Sequence, residues 1–145
     1  MQSNCALVIC DVDYFKLYND TYGHQVGDRC LQQVAQVLKQ SIYKNGLAAR
    51  YGGEEFIVLL PESGVEAGRG FARRLMARLA AESWDNDPVT VSIGLSTLDD
   101  TIFNGFQLVS MADEALYAAK RQGKNCLVVY EALQTPHSVA VEQAT

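Results

Sequence analysis

The sequence has few residues of the kinds that build zinc sites or disulfide frameworks. Its 145 residues include four cysteines and two histidines, and no two cysteines form a Cys-x-x-Cys pair. Such sparse ligands leave little room for a zinc site. The scattered cysteines favour free thiols in a reducing compartment over structural disulfides.

Long hydrophobic runs and a basic charge balance are also missing. The longest apolar runs, residues 5–10 and 56–60, are far shorter than the roughly 20 residues that a membrane-spanning helix needs. The first four residues are not a basic stretch leading into an apolar block, so no secretory signal is expected. Lys and Arg number 12 against 17 Asp and Glu, and the net charge of −5 argues against a DNA- or RNA-binding surface.

What is present is typical of one globular domain. Hydrophobic residues make up 48% of the chain and charged residues 20%, and the length is enough to bury a single core. We expect this domain to occupy residues 1–130. Residues 131–145 are polar, lack an apolar period and contain a proline, so they are predicted to form a flexible C-terminal tail.

Apolar periodicity predicts an α+β fold. Short β-branched and apolar runs predict strands at residues 6–10, 47–51, 54–60, 89–96 and 126–130. Apolar residues at three- and four-residue steps predict amphipathic helices at residues 27–42, 65–81 and 108–120. This order contains a ferredoxin-like βαββαβ core with a mixed, mainly antiparallel sheet packed by helices.

Two pairs of carboxylates lie at predicted strand ends and are the candidate metal-binding residues. Asp11 and Asp13 follow the first strand, and Glu54 and Glu55 follow the glycine turn of the central hairpin. In the predicted topology these two places lie side by side, so Asp11 and Glu54 can meet although 43 positions separate them. Hard carboxylate oxygens suit Mg²⁺ or Mn²⁺. The alternative is that these are solvated strand ends with no ligand.

Three lysines are the cations best placed for phosphates, namely Lys16, Lys120 and Lys124. Exposure alone explains Lys16 equally well, and favourable charge at a helix C-terminus explains the other two. Gly52 and Gly53 form a common hairpin turn, but their missing side chains would also let a bulky ligand lie against the backbone.

Asn19 and Asp28 offer acceptors for the edge of a nucleotide base. The N1–H and N2–H₂ groups of guanine require such amide and carboxylate oxygens. A helix cap is the alternative interpretation of Asp28.

Taken together, these segments resemble the GGDEF family of diguanylate cyclases. The first motif is Asp-Val-Asp-Tyr-Phe-Lys-Leu-Tyr-Asn-Asp at residues 11–20, and the family's turn stands as Gly-Gly-Glu-Glu-Phe at residues 52–56. The other matching motifs are Tyr22-Gly23-His24, Gly27-Asp28, Ser92-Ile93-Gly94, residues 112–120 and Gly123-Lys124-Asn125. The resemblance runs from about residue 6 to residue 130, and it implies that the ferredoxin-like core is of the nucleotidyl cyclase or polymerase-palm type.

The resemblance implies a role for each matching residue. Asp11, Glu54 and the backbone carbonyl of Val12 would bind metal, with Glu55 as a possible second-metal or outer carboxylate. Glu54 would also help to deprotonate the ribose 3′-hydroxyl, and Lys16 would neutralise charge at the transferring phosphate. Asn19 and Asp28 would recognise guanine. The remaining GTP contacts implied are Tyr14, Phe15, Gly52, Gly53, Lys120 and Lys124.

The implied activity is the condensation of two GTP molecules into cyclic di-GMP and two pyrophosphates. It would use two Mg²⁺ or Mn²⁺ ions per site and a homodimer, in a bacterial cytoplasmic domain whose parent protein could be membrane-anchored. A catalytically silent module that binds GTP or cyclic di-GMP is the alternative. A purine nucleotidyl cyclase or polymerase-like palm with another product is a third interpretation.

Two departures from the family pattern carry expectations of their own. The family usually begins with an Asp-x-Leu-Thr turn and a helix before the first strand, whereas here only five residues precede it, so we expect an N-terminally truncated domain with a sensor or dimerisation domain upstream in the parent protein. The Arg-x-x-Asp product-inhibition motif falls on residues 43–46, where Tyr43 and Gly46 replace the two charged residues. No product-inhibition site is therefore expected.

Overall fold

The computed structural model describes residues 4–42, 45–98 and 104–130, and the backbone of residues 139–143. In this part of the chain six strands and four helices follow one another in the order β1 (Cys5–Val12), α1 (Phe15–Tyr22), α2 (His24–Ser41), β2 (Leu47–Arg50), β3 (Glu55–Pro61), α3 (Val65–Ala81), β4 (Val91–Leu98), α4 (Gly105–Arg121), β5 (Cys126–Tyr130) and β6 (Val139–Gln143). No helix in these described ranges is both long and apolar enough to span a bilayer.

The strands form one mixed sheet in the order β2-β3-β1-β4-β5-β6. The first four strands of this order, β2, β3, β1 and β4, each pair antiparallel with their neighbours among them. The strands β4 and β5 pair parallel. The order β2-β3-β1-β4 is that of a ferredoxin-like core, so the predicted α+β fold is confirmed. Because β1 runs antiparallel to both its neighbours, its carboxyl end lies beside the amino ends of β3 and β4.

The side chains of β1 point alternately to the two faces of the sheet, and each face packs against different helices. Ala6 and Val8 pack in the main core with residues of α2 and α3, whereas Leu7 and Ile9 pack against α4 on the other face. Successive side chains of a strand point to opposite faces. Asp11 therefore continues the row that faces α4.

A glycine lets α4 lie close against the sheet. A Cβ atom at Gly94 in β4 would collide with the backbone of α4 at Ala112 and Leu116, 2.9 Å from the Leu116 Cα atom. Any side chain at this position would push the helix away from the strands. The close approach holds the last turn of α4 over the end of β1.

The structure adds a helix that the periodicity did not predict. The helix predicted at residues 27–42 is α2, and α1 is an additional helix before it, from which the chain turns at Gly23 with φ of 89°. Phe15 and Tyr18 are the buried residues of α1, and Tyr22 packs against the same core. Their three- and four-residue spacing was the available signal, but eight residues gave it few repeats.

The prediction of a flexible tail is wrong for residues 139–143. These residues form β6, which pairs antiparallel with β5 from Cys126↔Gln143 to Tyr130↔Val139. An edge strand has unpaired backbone N–H and C=O groups, and an extended segment that returns along the chain satisfies them. Residues 131–138 and 144–145 of the predicted tail lie outside the described residues.

Candidate active site

The carboxyl end of β1 and the hairpin turn lie side by side, as predicted. Asp11 stands opposite Glu55 in the β1–β3 ladder, and the Val12 N–H donates to the backbone oxygen of Glu54 at 3.1 Å. Asp11 is buried, whereas both glutamates are half-buried. We call Asp11, Glu54 and Glu55 the acidic edge.

Lys120 reaches the acidic edge from the last turn of α4. Its Nζ atom lies 2.7 Å from the Asp11 Oδ2 atom, although 109 positions separate the two residues in sequence. The side chain of Lys120 is 36% exposed and that of Asp11 is 8% exposed. One end of this ion pair is therefore buried while the other opens towards solvent, where a ligand's phosphates could meet it.

The pKa values of Glu55 and Lys120 are both raised, because several charged groups lie close together at the acidic edge. Burial raises the pKa of the Glu55 carboxyl, Asp11 raises it further, and Lys120 opposes the shift. Burial would lower the pKa of the Lys120 ammonium, but the hydrogen bond to Asp11 and the charges of Glu55 and Glu54 outweigh it and raise that pKa. The carboxylates therefore repel one another and favour a cation among them.

The acidic edge has the donor atoms that a hard divalent cation requires. Within residues 4–42, 45–98 and 104–130, no group of three or more Asp, Glu, His or Cys side chains is placed to hold a metal ion by itself. Mg²⁺ is usually bound through one or two carboxylates together with water and substrate phosphates. Asp11 and Glu54 could supply carboxylates of this kind, to which the family resemblance adds the Val12 carbonyl.

An arginine side chain braces the turn between β2 and β3 by hydrogen-bonding to its backbone. The Arg50 Nε atom donates to the Gly53 carbonyl at 3.0 Å, and the Tyr51 N–H donates to the Glu55 carbonyl at 2.8 Å. A Cβ atom at Gly53 would have no neighbour within 4 Å. The turn therefore presents bare backbone with free space above it, next to Glu54.

Asn19 carries a buried acceptor without a donor. Among the described residues, nothing donates a hydrogen bond to its Oδ1 atom, although that atom is shielded from solvent. An unsatisfied buried acceptor costs about 1–3 kcal/mol, so its retention requires a reason. Asp28 lies on α2 one residue after Gly27, which contacts Asn19, and is exposed. The two predicted base-recognition residues are thus neighbours.

The remaining predicted contacts fall into two groups. Lys16 is exposed on α1, whereas Phe15 is buried in the core and stacks on Tyr18 with ring centroids 6.2 Å apart. The Lys124 Nζ atom lies over the Tyr14 ring, 4.0 Å from its centroid, and both residues have left-handed backbone with φ of 67° and 57°. Phe15 therefore supports the core beside Asn19, while the other three face solvent.

The predicted loss of a product-inhibition motif concerns residues 43–46. Tyr43 and Lys44 lie outside the described residues. Gly46 follows a turn before β2 and lies close to Ile42 and Leu60. Of the two replaced positions of the motif, the structure therefore describes only Gly46.

Asp13 has a role that sequence reasoning missed. Instead of joining the acidic edge, its buried carboxylate accepts hydrogen bonds from Thr90 Oγ1 at 2.6 Å, Ser92 Oγ at 2.5 Å and the Asn125 N–H at 3.0 Å. It thereby ties the end of β1 to the start of β4 and to the turn before β5. That turn carries Lys124, so Asp13 fixes the place of one predicted phosphate contact.

Asp13→Asn is expected to destabilise the fold by about 2 kcal/mol, because it removes a charged acceptor and turns an amide donor towards groups that already donate. Urea unfolding with a two-state fit measures this loss. Asp20→Asn makes the same chemical change on the exposed face of α1 and should leave the unfolding midpoint unchanged. Equal stability of the Asp13 variant and the wild type would contradict the role.

A family model described as "Diguanylate cyclase, GGDEF domain" matches residues 1–126. Among curated proteins, diguanylate cyclase A of Treponema denticola is 39% identical over 124 residues, which cover 83% of this chain and 33% of that protein. The chain spans between 22% and 33% of the length of three curated relatives that it matches.

The chain is also similar in structure to solved GGDEF and GGEEF domains. The GGDEF domain of DgcB from Caulobacter crescentus, in complex with c-di-GMP, superposes with a TM-score of 0.84 at 31% identity, covering 90% of this chain and 80% of that one. The active GGEEF domain of a diguanylate cyclase from Vibrio cholerae also gives a TM-score of 0.84 at 31% identity, with 89% and 84% covered.

Proposed function

The chain belongs to the GGDEF domain family, and we propose that it is the catalytic domain of a diguanylate cyclase. It condenses two GTP molecules into cyclic di-GMP and two pyrophosphates. In each half-reaction the 3′-oxygen of one GTP bonds to the α-phosphorus of the other, and the bond from that phosphorus to the pyrophosphate breaks. Because one domain binds one GTP, two domains face each other as a homodimer.

The observation that carries this proposal is the contact between Lys120 and Asp11 of the acidic edge. Carboxylates that suit a divalent cation stand next to an ammonium group that can move to a phosphate. The unpartnered Oδ1 atom of Asn19 supports a ligand that donates hydrogen bonds, as the N1–H and N2–H₂ groups of guanine do.

Asp11, Glu54 and the Val12 carbonyl would hold two Mg²⁺ or Mn²⁺ ions at the acidic edge together with substrate phosphates and water, with Glu55 as a further carboxylate. When bound, such ions lower the pKa of an attacking hydroxyl and neutralise charge on a phosphate and its leaving group. The donor set is made only of oxygen atoms, which is the preference of both ions.

The chain's own residues orient the nucleotide and move the proton. Glu54 takes the proton of the ribose 3′-hydroxyl, and Lys16 lies by the transferring phosphate. Lys120 and Lys124 hold the phosphates that leave, since ammonium groups stabilise the charge that develops there. Gly52 and Gly53 leave room for the nucleotide against the turn, and the exposed Tyr14 lies at its side. The buried Phe15 acts indirectly, by supporting Asn19 from the core.

We place the activity in the bacterial cytoplasm, where the product acts as a second messenger. The curated relatives are several times longer than the segment they share with this chain, which supports a parent protein with a sensor or dimerisation domain.

A silent module that binds GTP or cyclic di-GMP is the second candidate, but the intact Gly52-Gly53-Glu54-Glu55-Phe56 turn favours turnover. Incubation of the dimeric protein with GTP or ATP and Mg²⁺, followed by mass spectrometry of the products, tests the proposal. Cyclic di-GMP formed from GTP alone supports it. Unchanged GTP would favour the silent module, and a product from ATP would favour another nucleotidyl cyclase.

Added cyclic di-GMP is expected to leave the initial rate unchanged, because residues 43–46 lack the arginine fork and the aspartate that would bind it. Tyr43 can stack on a base but has no charge, and Gly46 has no side chain. Initial rates against added product, with calorimetry on the isolated chain, measure this. Potent non-competitive inhibition that Tyr43→Ala removes would contradict the prediction.

A further inference from the structure

Gly27 is buried against the amide of Asn19. A Cβ atom at Gly27 would overlap the Asn19 Oδ1 atom, and it would lie 2.9 Å from Asn19 Cγ and 3.2 Å from Phe15 Cζ. Real Cβ atoms essentially never approach other heavy atoms as closely as this one would approach the amide, so the Asn19 amide occupies the space that a side chain at Gly27 would fill.

The backbone at Gly27 does not itself require glycine. The residue lies within α2, its N–H donates to the Gly23 carbonyl at 3.0 Å, and it is absent from the positive-φ glycines of the described residues, Gly23 and Gly123. Glycine is among the poorest helix formers. Its presence in the helix is therefore explained by the space it leaves and not by its conformational freedom.

We propose that Gly27 is a positioning residue for base selection, which acts by keeping the Asn19 amide oxygen over α2 beside Asp28. This inference rests on the proposed function, because it assumes that the base recognised is guanine. The missing side chain at Gly27 leaves the space that the amide oxygen occupies, and among the described residues nothing donates a hydrogen bond to that buried oxygen.

The physical reason predicts a loss of selectivity without a loss of fold. The atoms that a Gly27→Ala methyl group would displace most are the far end of the Asn19 side chain, which can rotate towards solvent because Asn19 is only partly buried. Alanine also favours the helix more than glycine does. The fold therefore keeps its stability, while the amide oxygen leaves the position from which it reads the base.

Calorimetric binding of GTP and of ATP to the full chain, with Mg²⁺, tests the inference in four proteins: wild type, Gly27→Ala, Asn19→Ala and the double variant. The preference for GTP over ATP should fall at least about tenfold in Gly27→Ala. The double variant should match Asn19→Ala, since the methyl group acts only through the amide. Melting temperatures should stay within a few degrees of wild type.

Gly70→Ala is the matched control, because Gly70 lies in α3 and a Cβ atom there meets only Arg74 Nη1 at 3.5 Å, an ordinary contact. It should keep the wild-type preference. A Gly27→Ala variant that still prefers GTP as wild type does, or that unfolds, would overturn the inference. A wild type that binds ATP as tightly as GTP would instead overturn the proposed function.

Discussion

Glu54→Gln is expected to lower kcat by at least about 10³-fold, which corresponds to about 4 kcal/mol of transition-state stabilisation. The substitution keeps the shape of the side chain but removes the charge that binds a cation and accepts the 3′-hydroxyl proton. The fold should be unaffected, because Glu54 is half-buried and its described hydrogen bond is made by the backbone oxygen, from the Val12 N–H.

The rate of cyclic di-GMP formation at saturating GTP and fixed Mg²⁺ measures this effect, with the melting temperature recorded in parallel. Glu66→Gln makes the same chemical change on the exposed side of α3 and should retain wild-type kcat. A Glu54→Gln enzyme within tenfold of wild type would show that another residue binds the metal or takes the proton.

Lys120→Met is expected to lower kcat by about 10²- to 10³-fold, because it removes a cation from the phosphates. It should also lower the melting temperature, since Asp11 stays buried beside Glu55 without its partner at 2.7 Å. Lys120→Arg keeps the charge and should recover part of both losses.

Steady-state kinetics and thermal unfolding separate these two effects of Lys120. Lys39→Met removes a lysine from the last turn of α2, away from the acidic edge, and serves as the control. Reduced stability with kcat within tenfold of wild type would mean that Lys120 serves only as the structural partner of Asp11.

The fold and the meeting of β1 with the hairpin could be predicted from local patterns. The apolar run before Asp11 and the paired glycines before Glu54 each mark a strand boundary, and the antiparallel topology brings those boundaries to one edge of the sheet. Alternation then decides that Asp11 faces the same side as Leu7 and Ile9.

Interactions that depend on packing between distant elements could not be predicted. The pairing of Lys120 with Asp11 requires α4 to lie close to the sheet, which depends on Gly94. Asp13 is the same residue type as Asp11 and lies only two positions further along the chain. Its carboxylate nevertheless accepts hydrogen bonds from the hydroxyl groups of Thr90 and Ser92 and does not join the acidic edge. Sequence spacing carries no information on such partners.

A crystal structure of the protein with Mn²⁺ and a non-hydrolysable GTP analogue tests the central claim most directly, because anomalous scattering locates the metal. We expect the metal at about 2.1 Å from oxygens of Asp11 and Glu54. The guanine edge should contact Asn19 and Asp28, and Lys120 should lie against a phosphate instead of Asp11. A nucleotide bound elsewhere, or an acidic edge without metal and with Lys120 still paired to Asp11, would contradict the account.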